Sequence, residues 1–144
     1  MVLITGSGSG IGGETALAFA KRGSHVIVTY YNNKENAQKV FQICNKTKKS
    51  LLVELDVQKD ESIKNCLQEI FKEFKSIDIL INNAGIISWK SLKEQTNKEI
   101  ESQINTNLTG LIKMTKATLP YINKNGFIIN ISSGAGKKGQ ENIT

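Results

Sequence analysis

Met1-Val-Leu-Ile-Thr-Gly-Ser-Gly-Ser-Gly-Ile-Gly-Gly13 decides the fold. A short apolar run, Val2 to Ile4, stops at Thr5, and five glycines follow before an Ala-rich pattern with helical spacing, Thr15 to Lys21. The order is strand, tight glycine turn, helix. In such a turn the backbone comes close to a ligand because no Cβ intervenes, and the unpaired N–H groups of the helix N-terminus point to the same place. Phosphate is the natural occupant of that position.

Two glycine spacings coexist. Gly8, Gly10 and Gly13 give G-x-G-x-x-G, the general dinucleotide fingerprint; Gly6, Gly10 and Gly12, preceded by Thr5, give T-G-x-x-x-G-I-G. The second is preferred, because the first functional glycine belongs where the strand ends, and this strand ends at Thr5. T-G-x-x-x-G-I-G resembles the glycine turn of the short-chain dehydrogenase/reductase family. That resemblance implies an NAD(P)-binding Rossmann domain, with Thr5, Gly6, Ser9, Gly10, Ile11 and Gly12 at the cofactor.

The rest of the chain alternates strands and helices. After a helix from about Ile11 to Arg22, closed by Gly23, His25 to Tyr30 is a second continuous apolar run. Continuous rather than alternating apolarity is the mark of a parallel strand covered on both faces. A Lys-rich helix follows (about Lys34 to Lys46), then a strand from Leu51 to Asp56. Ile63, Leu67, Ile70, Phe71 and Phe74 lie at helical spacing, and Ile77 to Ile81 is a fourth strand. A helix carrying Ile100, Ile104, Leu108, Leu111 and Leu119 on one stripe is stopped by Pro120 and the turn at 123–126. Phe127 to Ile131 is the fifth strand. The expected fold is α/β, a doubly wound parallel sheet in the order 3-2-1-4-5, making one NAD(P)-binding domain over residues 1–144.

The end of the second strand is where such folds select their cofactor, since a carboxylate there bonds the ribose 2′-hydroxyl and repels a 2′-phosphate. Thr29, Tyr30, Tyr31, Asn32 and Asn33 stand there with no acid before Glu35. This favours NADP over NAD, with Lys34 or the amides of Asn32 and Asn33 as phosphate partners and Tyr30 at the cofactor's adenosine end. The family's frequent arginine in the glycine turn is replaced by Ser9.

Further resemblances fall in order along the chain. Asp56-Val57 resembles the pair whose carboxylate contacts the adenine amine. Asn82-Asn83-Ala84-Gly85 is the most specific short signature. Its amides can tie neighbouring strands together, and Ala and Gly leave bare backbone (Asn83, Ala84, Gly85) where the cofactor's ribose and nicotinamide pass. Asn and Gly in Asn105 to Gly110 are disfavoured in a helix interior and ask for a reason. The placement resembles the family's N-x-x-G segment, which implies that Asn107 loosens the helix and holds a water of the proton relay. Gly126-Phe-Ile-Ile-Asn-Ile-Ser-Ser133 resembles the catalytic-serine strand and places Ser133 at the catalytic position. Trp89, the sole tryptophan, lies in a loop (86–90) that borders the substrate pocket in this family; lining that pocket and packing remain open for it.

The implied activity is hydride transfer between a nicotinamide cofactor and a carbonyl or alcohol, of the 3-oxoacyl-reductase or sugar-dehydrogenase kind. The family's Tyr-x-x-x-Lys is absent from the 144 residues, and by analogy falls just past Thr144. A longer chain is therefore expected, and the alternative is a non-catalytic NAD(P)-binding module. An epimerase of the extended relatives fits less well, because those have a differently spaced T-G-x-x-G-x-x-G.

Composition narrows the rest. Of 19 basic residues only Arg22 is an arginine, and the lysines are spread over every predicted helix, which argues against a nucleic-acid surface despite the net charge of +6. They are solvated faces, or a field that attracts an anionic ligand. Cys44 and Cys66 lie on different helices, and one histidine, His25, completes neither a metal set nor a hydrolase triad. No metal, no membrane span and no signal peptide are expected, the location is cytoplasmic, and a homodimer or homotetramer is implied by the resemblance alone. Ser91 with Glu94 and Thr96 with Glu99 each predict a helix-starting capping box.

Overall fold

In the computed structural model, residues 1–138 are described; the last part of the expected domain, up to Thr144, lies outside them. Five strands alternate with helices: β1 (Val2–Ile4), α1 (Gly10–Lys21), β2 (Val26–Tyr30), α2 (Lys34–Thr47), β3 (Leu51–Glu54), α3 (Asp60–Phe71) and β4 (Ile77–Asn82). Then come α4 (Asn97–Ile104), a π-helical turn (Asn105–Gly110), α5 (Leu111–Thr118), a 3-10 turn (Leu119–Tyr121) and β5 (Ile122–Asn130). The sheet is parallel throughout, in the order β3-β2-β1-β4-β5. The expected class and strand order are both found.

Side-chain alternation along the strands divides the core in two. Leu3, Ile27, Val53 and Leu80 point to one face and pack with Ile63, Leu67 and Ile70 of α3 and Met114 of α5. Val2, Ile4, Val26, Val28 and Ile81 point to the other and meet Ala16 and Ala20 of α1, and Ala37 and Cys44 of α2. The central register pairs Leu3 with Ile27 on one side and Leu80 on the other, all fully buried. Both faces are filled, which is why these strands read as unbroken apolar runs. The strand order reverses between β1 and β4, so the crevice at their C-terminal ends is the switch point where α/β sheets bind ligands.

Three expectations change. The fifth strand begins at Ile122 rather than Phe127, because Ile122 pairs with Ile77 and the chain then bulges through 123–126 before Phe127 resumes pairing with Ile79. The predicted turn is this bulge. Ser91 opens only a turn, not a helix: Glu94 bonds the Ser91 hydroxyl and N–H, but helix α4 starts at Thr96, where Thr96 and Glu99 form the full reciprocal box.

The third change concerns the helical segment 97–118. Its expected aliphatic stripe only partly turns inward: Ile100 and Leu111 are half-buried, but Ile104, Leu108 and Leu119, the last just past the segment, are more than half exposed, at 52, 57 and 55%, as is the neighbouring Ile112 at 55%. The face turned inward carries Thr106, Gly110, Met114 and Thr118 instead. Gly110 explains the choice, since a Cβ there would sit 2.8 Å from Val57 Cγ2 and 3.0 Å from the Asn105 carbonyl. Small residues let the helix approach closely, and the large ones are left on the other side.

Candidate functional site

The glycine turn is built on a buried polar network that ties it to its neighbours. The Thr5 hydroxyl, 2% exposed, accepts hydrogen bonds from the N–H groups of both Asn83 and Ala84, at 2.9 Å each. In return the Asn83 amide donates to the carbonyls of Thr5 and Gly6, at 3.0 Å each. The T-G and N-N-A-G signatures, some 78 residues apart in sequence, are thus one hydrogen-bonded unit at the ends of β1 and β4. A Cβ on Gly6 would stand 3.0 Å from Ala84 Cα, and one on Gly12 would stand 2.4 Å from the Asn83 amide nitrogen. Gly10 has φ of +55° and open space where its Cβ would be.

Beneath the turn lie two residues that sequence reasoning passed over as site builders. Ser7 and Thr29 are both fully buried. The Thr29 hydroxyl donates to the Ile4 carbonyl and accepts from the Gly6 N–H, both at 2.9 Å. The Ser7 hydroxyl donates to the same carbonyl and accepts from the Thr29 N–H. Each hydroxyl fills both its roles, so the turn is braced against β2 as well as β4. The signal that could have found them is a threonine inside an otherwise aliphatic buried strand, facing a serine in the turn. Thr29 therefore shapes the turn and is not free at the 2′-phosphate end.

Helix α1 starts above this brace. Its N-cap, Ser9, makes no side-chain cap, so the first-turn N–H groups of the helix stand at an exposed end beside Gly10 and Ile11. Tyr30 and Asn32 follow at the end of β2, and the Asn33 side chain is engaged as the N-cap of α2, accepting from the Asn36 N–H at 3.0 Å. The next acid along the sequence, Glu35, pairs with Lys39 at 2.8 Å, while Glu54 of β3 lies beside Tyr30 in the sheet register. Asp56, 8% exposed at the end of β3, accepts from the Gln58 N–H and lies 3.3 Å from the Lys59 ammonium. Val57, its neighbour, is the buried residue against which Gly110 packs. These groups lie along the C-terminal edge of β3, β2, β1 and β4, and they fit an extended dinucleotide: bare backbone and helix N–H groups for its phosphates, polar side chains at one end. The first-turn N–H groups and Gly10 would hold the pyrophosphate.

At the other end stand the two catalytic candidates. Asn107 sits in the π-helical turn, and its amide grips one residue from both sides: Oδ1 accepts from the Ile86 N–H and Nδ2 donates to the Ile86 carbonyl, each at 2.8 Å. The helix is loosened at the position expected, and π-turns of this kind recur at functional sites. Ser133 lies just past β5 and is exposed, its Oγ accepting from the Ala135 N–H at 3.2 Å. Pairing of Asn82 with Asn130 and a 2.9 Å bond from the Ile131 N–H to the Asn82 carbonyl carry Ser133 to the same sheet edge as Asn83 to Gly85. Among the described residues no hydrogen bond joins Ser133 to Asn107. The Asn82 amide ties neighbouring strands as expected of the N-N-A-G signature, donating to Asn130 of β5, and it also donates to Thr115 of α5, which the sequence did not point to, both at 2.9 Å.

The histidine and the two cysteines stay out of this site. His25 bonds the Lys49 carbonyl through Nδ1 and meets Phe74 edge-on, a structural position. Both cysteines are free and buried, and burial, helped by Glu69, pushes the Cys66 thiol up to about 12, so it is no nucleophile at neutral pH. Among the described residues no cluster of three metal-ligating side chains exists, and no helix is long and apolar enough to cross a membrane.

Comparison with known proteins agrees with this geometry. The chain is 38% identical over 141 residues to the 3-ketodihydrosphingosine reductase of Bacteroides thetaiotaomicron, covering 96% of this chain and 49% of that protein. It is 34% identical over 140 residues to the 3-oxoacyl-(acyl-carrier-protein) reductase of Staphylococcus epidermidis, covering 95% and 57%. The chain thus spans about half the length of these relatives. A short-chain dehydrogenase/reductase from Burkholderia xenovorans superposes with a TM-score of 0.88 at 29% identity, over 98% of this chain and 62% of that one. The family profile described as short chain dehydrogenase matches residues 1–144, so the clamped glycine turn and the strand-end signatures are those of a family member: this chain belongs to the short-chain dehydrogenases.

Proposed function

We propose that this chain is the cofactor-binding part of an NADP(H)-preferring reductase that transfers hydride to the carbonyl of a 3-oxoacyl compound or a similar ketone. The observation that carries the reading is the Thr5–Asn83–Ala84 clamp, which holds the glycine turn and the N-N-A-G backbone as one surface, with Ser133 ending the adjacent strand. The cofactor, when bound, supplies the hydride. The names of the relatives, reductases of 3-oxoacyl and 3-keto compounds, support the substrate class.

Each residue then has a task. Gly10, Ile11 and Gly12 present backbone N–H groups to the pyrophosphate, and Thr5, Gly6 and Ser9 complete the turn. Asp56 and Val57 receive the adenine, Tyr30 and Asn32 the adenosine ribose, and Asn83, Ala84 and Gly85 the nicotinamide end. Ser133 donates its hydroxyl to the substrate oxygen. Asn107 fixes Ile86 and holds a water of the proton path. The proton donor is the tyrosine of a Tyr-x-x-x-Lys in the longer protein, since the tyrosines in hand are placed elsewhere: Tyr121, for one, stacks on Phe71 with ring centres 4.1 Å apart.

Two measurements test this. NADPH is expected to bind about tenfold more tightly than NADH in a fluorescence titration, because no carboxylate stands at the end of β2 to repel a 2′-phosphate. Equal or reversed affinities would refute that assignment. In the longer protein, Ser133→Ala is expected to lower turnover of a 3-oxoacyl thioester about 100-fold while leaving NADPH affinity within about twofold, the cost of one donor to a developing oxyanion. An undiminished rate would move the chemistry away from Ser133.

A cytoplasmic homo-oligomer completes the proposal. The outward stripe of Ile104, Leu108, Ile112 and Leu119 supports association, because contiguous exposed apolar surface marks an interface. Sedimentation of the longer protein as a monomer at micromolar concentration would contradict it.

A further inference from the structure

We infer that Lys59 is the cationic partner of the cofactor's 2′-phosphate, reaching it from the β3 side of the sheet edge; this rests on the reading of the chain as an NADP(H)-preferring cofactor-binding part. The sequence pointed instead to Asn32, Asn33 and Lys34, at the start of α2. Of these, the Asn33 side chain is already committed to capping that helix.

The sheet register brings β3 beside the end of β2. Tyr30 pairs with Glu54, and the Leu55 N–H donates to the Tyr30 carbonyl at 2.7 Å. Tyr31 and Asp56, which follow, leave these strands as neighbours. Lys59 joins them: its ammonium lies 3.3 Å from the Asp56 carboxylate and 6.0 Å from the centre of the Tyr31 ring, at the outer reach of a cation–π contact. A lysine at the start of α3 thus stands at the end of β2, where such folds select their cofactor.

The surrounding charge explains why this one residue matters. Along the sequence no acid follows β2 before Glu35; in space, Glu54 and Asp56 come in from β3. Tyr31 and Lys59 share the lining of a cavity of about 380 Å³ with the carboxylates of Glu54, Asp56, Glu61 and Glu69, and Lys59 is the one cation among the described residues that line it. A 2′-phosphate brought to this edge meets net negative charge unless Lys59 offsets it. The ammonium has three donors and its side chain is 68% exposed, so it can face Asp56 and a ligand together. Lys59 makes no side-chain cap bond to α3, so replacing it removes no support from that helix.

The longer protein is titrated with NADPH and with NADH, followed by nucleotide fluorescence. Lys59→Gln is expected to weaken NADPH about tenfold and NADH less than twofold, so that the preference vanishes. Lys59→Arg keeps the charge and is expected to retain most of it. Raising salt from about 0.05 to about 0.5 M should shrink the preference of the parent and leave the ratio of the glutamine variant unchanged, because the contact is between exposed charges. Three results would each overturn the inference: NADPH affinity of Lys59→Gln within twofold of the parent, an equal loss for NADH, or a preference removed by Lys34→Gln but kept by Lys59→Gln. In all three NADPH still binds the parent, and the cofactor reading stands. A parent that binds neither nucleotide removes both.

Discussion

Thr5→Val is expected to destabilise the protein by about 3 kcal/mol. Valine keeps the shape but replaces the hydroxyl by a methyl, and the N–H groups of Asn83 and Ala84 lose their acceptor together. Each unpaired buried N–H costs about 1–3 kcal/mol, and both groups are only partly buried, which holds the sum below the maximum. Thr5→Ser keeps the acceptor and is expected to recover all but about 1 kcal/mol. Urea unfolding distinguishes them: the valine variant should shift its midpoint with an unchanged slope. A valine variant within about 1 kcal/mol of the parent would show that the clamp contributes little. Because the same bonds join the two cofactor-facing segments, NADPH affinity should fall along with stability.

Gly12→Ala is the companion case, at about 3 kcal/mol of lost stability, the upper end for overpacking a close contact. The new Cβ would lie 2.4 Å from the Asn83 amide nitrogen, 2.5 Å from the Gly6 carbonyl oxygen and 3.0 Å from Ser7 Cα. The amide could swing aside at the expense of its two bonds, but the carbonyl belongs to a turn braced by Thr29 and Ser7. The start of α1 has to move. Gly13→Ala provides the control, since its Cβ would meet nothing nearer than Val40 Cγ2 at 3.5 Å, an ordinary contact, and alanine is the better helix former by up to about 1 kcal/mol. Thermal unfolding of the pair is decisive. Equal loss in both variants would mean that helix propensity or general crowding, rather than the contact with Asn83 and Gly6, sets the need for glycine.

This contrast also resolves the two glycine spacings of the sequence. The fingerprint ending at Gly13 asks for glycine where the structure has room for alanine, whereas the spacing ending at Gly12 asks for it where the backbone of the turn leaves none. Strand end and steric need agree on Thr5, Gly6 and Gly12.

Much of the fold was legible because its signals are local. Unbroken apolar runs at Val2 and Val26, and the run from Ile79 to Ile81, reflect strands with both faces covered, and the helical spacing of Ile63, Leu67 and Ile70 reflects a single buried face. The 97–118 segment misled for a physical reason: its apolar stripe was read from side-chain size, while its packing face was selected by how closely the backbone could approach at Gly110. The fifth strand's true start was hidden because a bulge carries the composition of a turn.

By itself, then, the sequence determined the parallel α/β class, the strand order, the register of the glycine turn and the positions of Asn107 and Ser133 on their elements, since each depends on period, punctuation or a motif within a few residues. Only the tertiary structure decided which polar groups act together. The clamp of Thr5 with Asn83 and Ala84, the brace of Ser7 with Thr29, and the tie of Asn82 to Asn130 and Thr115 join residues distant in sequence. Hydrogen-bond partners are fixed by distance and burial in space, which no local pattern records.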